Sequence, residues 1–286
     1  MKYELPQLYF SKLMRAITEF ELINDGDKIL IGVSGGKDSI FLAYVMAMLK
    51  KRLKINFELK ALTINPMFSP DFDVNKIRGY ITELEIPFET IDVDIAGTIE
   101  AQQGKDPCYT CAFFRRGAVN RYAKEQGCNK VAYAHHHDDA VETLFMGLLY
   151  SGQIHTFTPS TYLDKMDLTV IRPLVYFREE EIKEAVKFHH FEPVPSPCPN
   201  DGHTIRQTVK ELIQTMSRDN PQLYPHLASA MRTSAVGELW PAEKTKAEMK
   251  VMYNHLMYGS PLNYSLLTLM AFEEGDSHFK ENSLLP

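Results

Sequence analysis

The sequence has little cysteine, only 4 among 286 residues, and it lacks long apolar runs. No stretch approaches the roughly 18 uncharged apolar residues that a membrane-spanning helix needs. The N-terminal segment MKYELPQLYF carries acidic and polar residues where a secretory signal has its apolar core. We therefore expect no membrane span and a cytoplasmic location, where cysteines are free thiols or metal ligands rather than disulfides.

The chain also lacks an excess of positive charge. Lys and Arg number 31, Asp and Glu number 37, and the formal net charge is −6. This balance disfavours non-specific binding to nucleic acid, which depends on neutralising phosphates, although a local basic patch can coexist with it. Apolar residues at 44% and charged residues at 24% are typical of a folded globular protein.

Apolar, β-branched runs alternate with helical patterns over the first two thirds of the chain. Strands are predicted over 28–33, 57–64, 88–94, 130–134 and 168–174, and helices over 1–24, 39–49, 75–84, 112–126, 138–150 and 178–189. The alternation predicts an α/β fold, a doubly wound parallel sheet of about five strands with helical N- and C-terminal extensions. The predicted segments are an N-terminal helix at 1–24, the α/β domain at 25–190 and a C-terminal helical region at 191–286.

A polar loop separates the first predicted strand from the first buried helix, with the sequence Ser34-Gly35-Gly36-Lys37-Asp38-Ser39. Helix N-termini carry unpaired N–H groups and a partial positive charge, so they attract phosphate. The glycines let the backbone approach a ligand, Lys37 adds positive charge, and Asp38 can hold a metal or cap the helix. A tight turn capped by Asp38 or Ser39 is the simpler alternative. The complete string at this junction favours a phosphate site, although it is not a Walker A loop.

A second polar cluster, AHHHDDAVETLF, spans 134–145 at another strand-to-helix junction. Asp138 and Glu142 lie four residues apart, as do Asp139 and Thr143, so polar groups gather at the first helical turn. Acidic residues there also suit the helix dipole by themselves. Three adjacent histidines do not point to one side of a regular element, which disfavours a zinc site.

Two of the cysteines, Cys108 and Cys111, form a C-x-x-C pair in PCYTC, and Cys198 follows a Pro-rich stretch. The pair is compatible with a redox dithiol, half of a zinc site or part of an iron–sulfur cluster. A zinc site would need another ligand, such as Cys128 or His203. Cys128 is more simply explained as a small buried apolar residue.

The polar loop resembles the PP-loop of the ATP pyrophosphatase superfamily, whose pattern S-G-G-x-D-S is complete from Ser34 to Ser39. Those enzymes cleave ATP between the α and β phosphates, usually after adenylating a substrate oxygen. The cluster at 134–143 resembles a second motif of PP-loop tRNA-modifying enzymes, A-H-H-x-D-D-x-x-E-T. The resemblance implies nucleotide contacts beyond the loop, from Thr63, Asn65, His135, Asp139, Gly152 and Arg172.

With its cysteines included, the chain resembles the tRNA-cytidine 2-sulfurtransferase family over about residues 25–215. That family combines both motifs with a C-x-x-C pair followed by Arg-Arg-Gly, here Arg115-Arg116-Gly117, and with a later cysteine, here Cys198. The resemblance implies that Cys108, Cys111 and Cys198 hold a [4Fe–4S] cluster with one open iron. It also implies that Asp38 and Asp139 hold Mg²⁺ beside ATP, and that the three cysteines and Asp38 serve catalysis.

The same resemblance implies the reaction and its partners. A base O2 of tRNA is adenylated and then replaced by sulfur from a donor such as a cysteine desulfurase or free sulfide, in a homodimeric enzyme. Basic side chains at Arg115, Arg116, Arg121 and Lys124, and a second run at Lys50, Lys51, Arg52 and Lys54, are candidates for phosphate contacts. Solvated faces and cations at a helix C-terminus explain them equally well.

One feature departs from the family, because several members carry the later cysteine in its own C-x-x-C, whereas this chain has CPNDG. This departure leaves the exact substrate open, so another RNA base or a small molecule remains an alternative. A lysidine-synthetase-like ligase would need ATP but no cysteines. A nucleotide-binding regulatory module with a structural zinc would not turn over ATP.

Overall fold

A computed structural model describes residues 4–102, 106–200, 202, 204–232 and 246–258. Its strands are β1 (Lys28–Gly32), β2 (Glu58–Asn65), β3 (Phe88–Asp92), β4 (Lys130–Ala132), β5 (Ser160–Leu163) and β6 (Leu168–Ile171). Its helices are α1 (Gln7–Glu19), α2 (Lys37–Arg52), α3 (Val74–Glu83), α4 (Ile95–Ala101), α5 (Pro107–Glu125), α6 (His137–Met146), α7 (Glu179–Phe188), α8 (Ile205–Asp219), α9 (Leu223–Arg232) and α10 (Lys246–Tyr258). A short π-helix follows α6 at Gly147–Ser151.

The strands form one sheet in the order β3-β2-β1-β4-β6-β5. All neighbouring pairs are parallel except β5 with β6. The predicted α/β fold with five parallel strands is confirmed, and β5 is an additional antiparallel edge strand. Its four residues pair with β6 alone, and they form no buried apolar run of the kind that marks β4 and β6. The chain winds from β1 to one edge and returns to β4, so β1 and β4 flank the switch point where such sheets bind ligands.

The core lies on both faces of the sheet, because alternate residues of β1 point to opposite sides. Ile29 and Ile31 belong to the larger cluster, and Leu30 belongs to the cluster on the other face. Helix α2 is buried along its length from Ser39 to Leu49, as its apolar sequence predicts. Burying each of its large side chains, such as Phe41, stabilises the fold by roughly 1.5–3 kcal/mol.

The chain divides into two compact units, Met1–Arg232 and Thr233–Pro286, and helix α10 is the described part of the second. The N-terminal helix is shorter than the predicted 1–24, since it ends at Glu19 and Glu21 adopts a left-handed φ of 49°. No helix in the described ranges is long and apolar enough to cross a membrane. The three predicted domain segments stay a prediction.

Candidate functional site

The polar loop lies between the carboxyl end of β1 and the first turn of α2. The N–H of Ser34 donates to Oγ of Ser39 at 3.1 Å, and the Ser39 hydroxyl donates to the carbonyl of Gly36 at 2.9 Å. These bonds fold the loop back over the helix N-terminus. The resulting concave backbone at a positive helix end suits an anionic phosphate group.

Gly35 occupies a position that no other residue fits without strain. Its φ is +84°, and a Cβ built there would lie 2.8 Å from Cδ1 of Ile77 and 3.1 Å from Cβ of Val194. The N–H of Val194 also donates to the Gly35 carbonyl at 2.9 Å. The loop is therefore packed tightly against α3 and against the segment that follows α7.

Lys37 is held between two carboxylates, with its Nζ 3.1 Å from Asp38 Oδ2 and 3.0 Å from Glu179 Oε1. Burial alone would lower the pKa of Lys37, but the two carboxylates outweigh burial and raise it. Burial would likewise raise the pKa of Glu179, yet the hydrogen bonds from Lys210 and Lys37 hold it well below its ordinary value. Lys37 is thus a charged side chain at the first turn of α2, and the two carboxylates fix its position.

Two predicted magnesium ligands, Asp38 and Asp139, approach the same histidine from two elements. Nε2 of the buried His136 lies 3.8 Å from Asp38 Oδ1 and 3.5 Å from Asp139 Oδ2. Asp139 also accepts the His136 N–H at 2.9 Å, which caps α6. Oδ1 of Asp38 is buried without a hydrogen-bond donor among the described residues, so it has a free acceptor for a cation.

The neighbouring Asp138 has a different partner set. Its carboxylate accepts two hydrogen bonds from Nε of Arg178, at 3.0 and 3.1 Å, and one from the N–H of Glu179 at 2.9 Å. Burial would raise the pKa of Asp138, but Arg178 outweighs burial and lowers it. Asp138 therefore joins α6 to α7, whereas Asp139 faces the loop.

Helix α8 adds two cations that the sequence analysis did not single out. Arg206 Nη1 lies 3.0 Å from Glu142 Oε2 and 3.8 Å from Asp139 Oδ1, and Lys210 Nζ lies 2.8 Å from Glu179 Oε2. Arg206 and Lys210 are four residues apart, so they lie on one face of α8. This spacing is the feature of the sequence that could have indicated both residues. Glu179 carried no such signal, because it is one of three consecutive glutamates at the start of α7.

The predicted adenine and ribose contacts lie at the end of β2. Thr63 is fully buried, and its hydroxyl donates to the carbonyl of Val33 at 2.7 Å, so it braces the start of the loop. Asn65 donates from Nδ2 to Asp92 Oδ1 at 2.8 Å and accepts the Met67 N–H through Oδ1. Asn65 is the more accessible of the two.

The remaining predicted nucleotide contacts lie near the ends of β4 and β6 and beyond α6. The His135 ring centroid is 5.1 Å from that of Phe157, and burial lowers the pKa of His135 to about 4, so the ring is neutral at pH 7. Arg172 lies over the same phenyl ring at 5.0 Å and donates to the Thr158 carbonyl at 2.6 Å. Gly152 ends the π-helix with a φ of 61°.

Three cysteines line one cavity of about 450 Å³: Cys108 and Cys111 from α5, and Cys198 from the segment before α8. Arg115 and Phe68 line the same cavity. Helix α5 begins at Pro107, earlier than the predicted 112, so both cysteines of the pair lie on helical turns. Burial raises the pKa of the Cys111 thiol, and Arg115 partly offsets that rise.

The donor set of this cavity is three thiols, which suit zinc or the irons of an iron–sulfur cluster. No group of three or more His, Cys, Asp or Glu side chains in the described ranges is already arranged to hold one metal ion. Zinc requires all thiolates about 2.3 Å from one point, whereas an iron–sulfur cluster takes each cysteine at a different iron. Cys128 lies in the core cluster with Leu30 and Val131, as expected for a buried apolar residue, and His203 is outside the described residues.

The basic side chains predicted as phosphate contacts differ in whether a carboxylate already pairs with them. On α5, Arg115 lines the cavity and Arg116 is exposed, while Lys124 Nζ lies 3.4 Å from Asp167 Oδ2. The other run ends α2, and its Lys51 Nζ lies 2.6 Å from Glu85 Oε2. The positive charge nearest the cysteines therefore comes from α5.

Comparisons with known proteins agree with this geometry. A family profile described as a PP-loop domain matches residues 9–215. The tRNA-cytidine(32) 2-sulfurtransferase of Coxiella burnetii (strain RSA 493) is 31% identical over 232 residues, which cover 80% of this chain and 90% of the relative. The enzyme of the same name from Ralstonia nicotianae is 33% identical over 225 residues, 78% of this chain and 72% of the relative.

Among solved structures, the U34-tRNA thiolase NcsA from Methanococcus maripaludis, with its [4Fe-4S] cluster, aligns with a TM-score of 0.64 and 20% identity. The alignment covers 87% of this chain and 88% of that protein, so the two share a fold. The family predicted from the two motifs and the cysteines is confirmed by the profile and the sequence relatives. This chain belongs to the PP-loop domain family and, within it, to the tRNA-cytidine(32) 2-sulfurtransferases.

Proposed function

We propose that this protein is an ATP-dependent sulfurtransferase that converts a cytidine of tRNA into 2-thiocytidine, at the position 32 that the relatives' names specify. One observation carries the proposal: Cys108, Cys111 and Cys198 line a single cavity, and the segment leading to Cys198 is hydrogen-bonded to the phosphate loop at Gly35. A ligase without sulfur chemistry has no use for such a cavity.

The reaction has two steps that balance in atoms and charge. The cytidine O2 attacks the α-phosphate of ATP, a bond to phosphorus forms, and pyrophosphate leaves. A sulfide then attacks C2 and forms the carbon–sulfur bond, the C2–O2 bond breaks, AMP leaves with that oxygen, and the sulfide proton is released. Both steps develop negative charge on phosphate oxygens, and fixed donors stabilise such charge without reorganising.

The phosphate loop supplies those donors in our proposal. Backbone N–H groups from Ser34 to Ser39 bind the phosphates, and Lys37 adds a cation whose position Glu179 fixes. The nucleotide pocket is completed by Thr63, Asn65, His135, Gly152 and Arg172. The Thr63 hydroxyl also supports the start of the loop through its hydrogen bond to Val33. The neutral His135 accepts or donates a hydrogen bond without adding charge.

Asp38 and Asp139 would hold Mg²⁺, which favours oxygen ligands and usually binds through one or two carboxylates plus substrate phosphates. The free, buried Oδ1 of Asp38 fits this role. When bound, the ion would neutralise charge on the phosphates. His136, between the two carboxylates, keeps them apart and oriented.

Cys108, Cys111 and Cys198 would hold a [4Fe–4S] cluster, and Arg115 would offset the negative charge of the thiolates. With three protein ligands, such a cluster has one iron open to bind sulfur. The proposal also includes a cytoplasmic homodimer and a sulfur donor such as a cysteine desulfurase or free sulfide, as the family resemblance implies.

The test combines metal analysis with product analysis. Protein purified without oxygen should contain about four iron and four acid-labile sulfide per chain. With ATP, Mg²⁺, sulfide and tRNA, nuclease digestion followed by mass spectrometry should detect 2-thiocytidine, together with AMP and pyrophosphate.

Other outcomes would contradict the proposal in distinguishable ways. A lysidine-synthetase-like ligase would be indicated if the protein turns over ATP with tRNA, contains no acid-labile sulfide and adds no sulfur to the RNA. Bound zinc with no ATP turnover would indicate a regulatory module. Thiolation of a different base would retain the chemistry and change the substrate.

A further inference from the structure

Helix α5 carries two large aromatic side chains on its surface, Tyr109 and Phe113. They are 67% and 56% exposed, whereas Phe41, Tyr44 and Phe177 are fully buried. Their rings are nearly parallel, with an interplanar angle of 22° and centroids 6.2 Å apart. Because both side chains are mostly exposed, a third ring can extend this stack on an open ring face.

The aromatic pair lies on the same helix as two of the cavity cysteines. A helix turns about 100° per residue, so Cys108, Cys111 and Arg115 share one face. Tyr109, Phe113 and Arg116 share a second face, roughly 130° around the helix from the first, and Tyr109 directly follows Cys108 in the chain. A helix with its side chains is only about 10–12 Å across, so an RNA loop bound to the aromatic face can reach the cavity with a neighbouring nucleotide.

The charge around the pair identifies the class of ligand. Arg116 is exposed one turn beyond Phe113, and Arg115 lies at the cavity itself. The chain as a whole carries a formal charge of −6, so this basic helix is a local feature and not part of a general positive surface. Aromatic rings beside arginines match an unpaired nucleotide, whose base stacks and whose phosphate pairs with a cation.

We infer that Tyr109 and Phe113 form a stacking surface for an unpaired base next to the target cytidine, and that this surface positions the cytidine at the cavity. The inference rests on the proposed function. A base of an anticodon loop is already unpaired, so displacing it onto the protein costs little. Stacking tolerates any base, so the surface would orient the loop without reading its sequence.

Substitutions with leucine test the inference because they keep apolar bulk and remove the aromatic face. The variants are Tyr109→Leu, Phe113→Leu and the double variant, and the control is Phe188→Leu on α7, which is 63% exposed. Affinity is measured by fluorescence anisotropy with an anticodon stem-loop RNA at one fixed salt concentration. Stacking is measured with 2-aminopurine placed next to the target cytidine.

We expect each single variant to bind the RNA about tenfold more weakly, since it loses the aromatic face on which the base stacks. The quenching of 2-aminopurine on binding should be lost in the double variant, KM for tRNA should rise more than kcat falls, and iron and sulfide should stay at wild-type levels. Phe188→Leu should behave as wild type in every assay.

The outcomes separate this inference from the proposed function. Failure of the wild type to thiolate tRNA would reject the proposed function. Thiolation by the wild type, with unchanged RNA affinity and quenching in the leucine variants, would overturn the stacking inference alone. Unchanged RNA affinity with slower sulfur delivery from a protein donor would assign this face to that donor and equally overturn it.

Discussion

The backbone N–H of Val194 donates a hydrogen bond to the carbonyl oxygen of Gly35, with 2.9 Å between nitrogen and oxygen. Gly35 is in the phosphate loop, and Val194 begins the stretch that brings Cys198 to the cysteine cavity. At the far end of that stretch, Arg206 contacts Glu142 and Asp139. The segment with the third cysteine is thus fastened at both ends to the proposed nucleotide site.

Replacing Gly35 with alanine should damage both the fold and the loop. A left-handed φ and a Cβ at 2.8 Å from Ile77 together predict a loss of about 1–3 kcal/mol in the free energy of unfolding. Urea unfolding measures this loss, and isothermal calorimetry should show weaker ATP binding.

Gly36→Ala is the matched control for stability. Gly36 has an ordinary φ of −70°, and its nearest Cβ contact would be Ser34 Oγ at 3.6 Å. Its unfolding midpoint should stay close to wild type. Equal destabilisation by the two substitutions would show that any added methyl group in this loop is harmful, and that the geometry of Gly35 is not the specific cause.

Asp38→Asn should lower Mg²⁺-dependent release of pyrophosphate by at least about 100-fold, because it removes a charge from the proposed metal site. The amide keeps the size of the side chain, so circular dichroism and the unfolding midpoint should change little. Asp71→Asn, at an exposed carboxylate, is the control for loss of one negative charge. A fully active Asp38→Asn variant would contradict the magnesium assignment.

Arg206→Met should destabilise the protein more at pH 8 than at pH 5. Burial raises the pKa of Glu142, and Arg206 opposes that rise, so removing Arg206 raises this pKa further. A carboxyl whose folded pKa exceeds its unfolded value contributes stability below the unfolded pKa and loses it as pH rises through the folded pKa. Urea unfolding of the variant and of wild type at both pH values measures the loss of stability at each pH.

The loss at pH 8 should be about 1–3 kcal/mol, below the value for a fully buried pair, since the Arg206 side chain is 42% exposed. Adding Glu142→Gln should abolish the pH dependence of that loss. If it persists in the double variant, another titrating group is responsible.

Cys198→Ala and Cys128→Ala should have opposite effects. Cys198 is half-buried at the cavity, so Cys198→Ala should lose iron, sulfide and thiolation while its unfolding midpoint hardly changes. Cys128 is 5% exposed in the core, so Cys128→Ala should keep iron and activity and lose about 1 kcal/mol of stability. Wild-type iron content in Cys198→Ala would remove this cysteine from the cluster.

Much of this protein could be predicted from short stretches of sequence. Alternating strand and helix patterns determined the parallel sheet, because side-chain periodicity follows directly from backbone geometry. The string from Ser34 to Ser39 similarly predicted a tight loop between β1 and α2, since its glycines and hydroxyls lie within one turn. The edge strand β5 was missed, because it has no buried apolar run like those of β4 and β6, and only pairing with β6 defines it.

Contacts between distant residues were decided by the tertiary structure. The sequence places Thr63 at the end of a strand, but only packing brings its hydroxyl to the Val33 carbonyl of the neighbouring strand segment. Glu179 lies far from Lys37 in the chain, and only the packing of α7 against α2 brings the two together. Composition and local pattern fix which groups are available. Which of them meet depends on how separate elements pack, and no local signal encodes that distance.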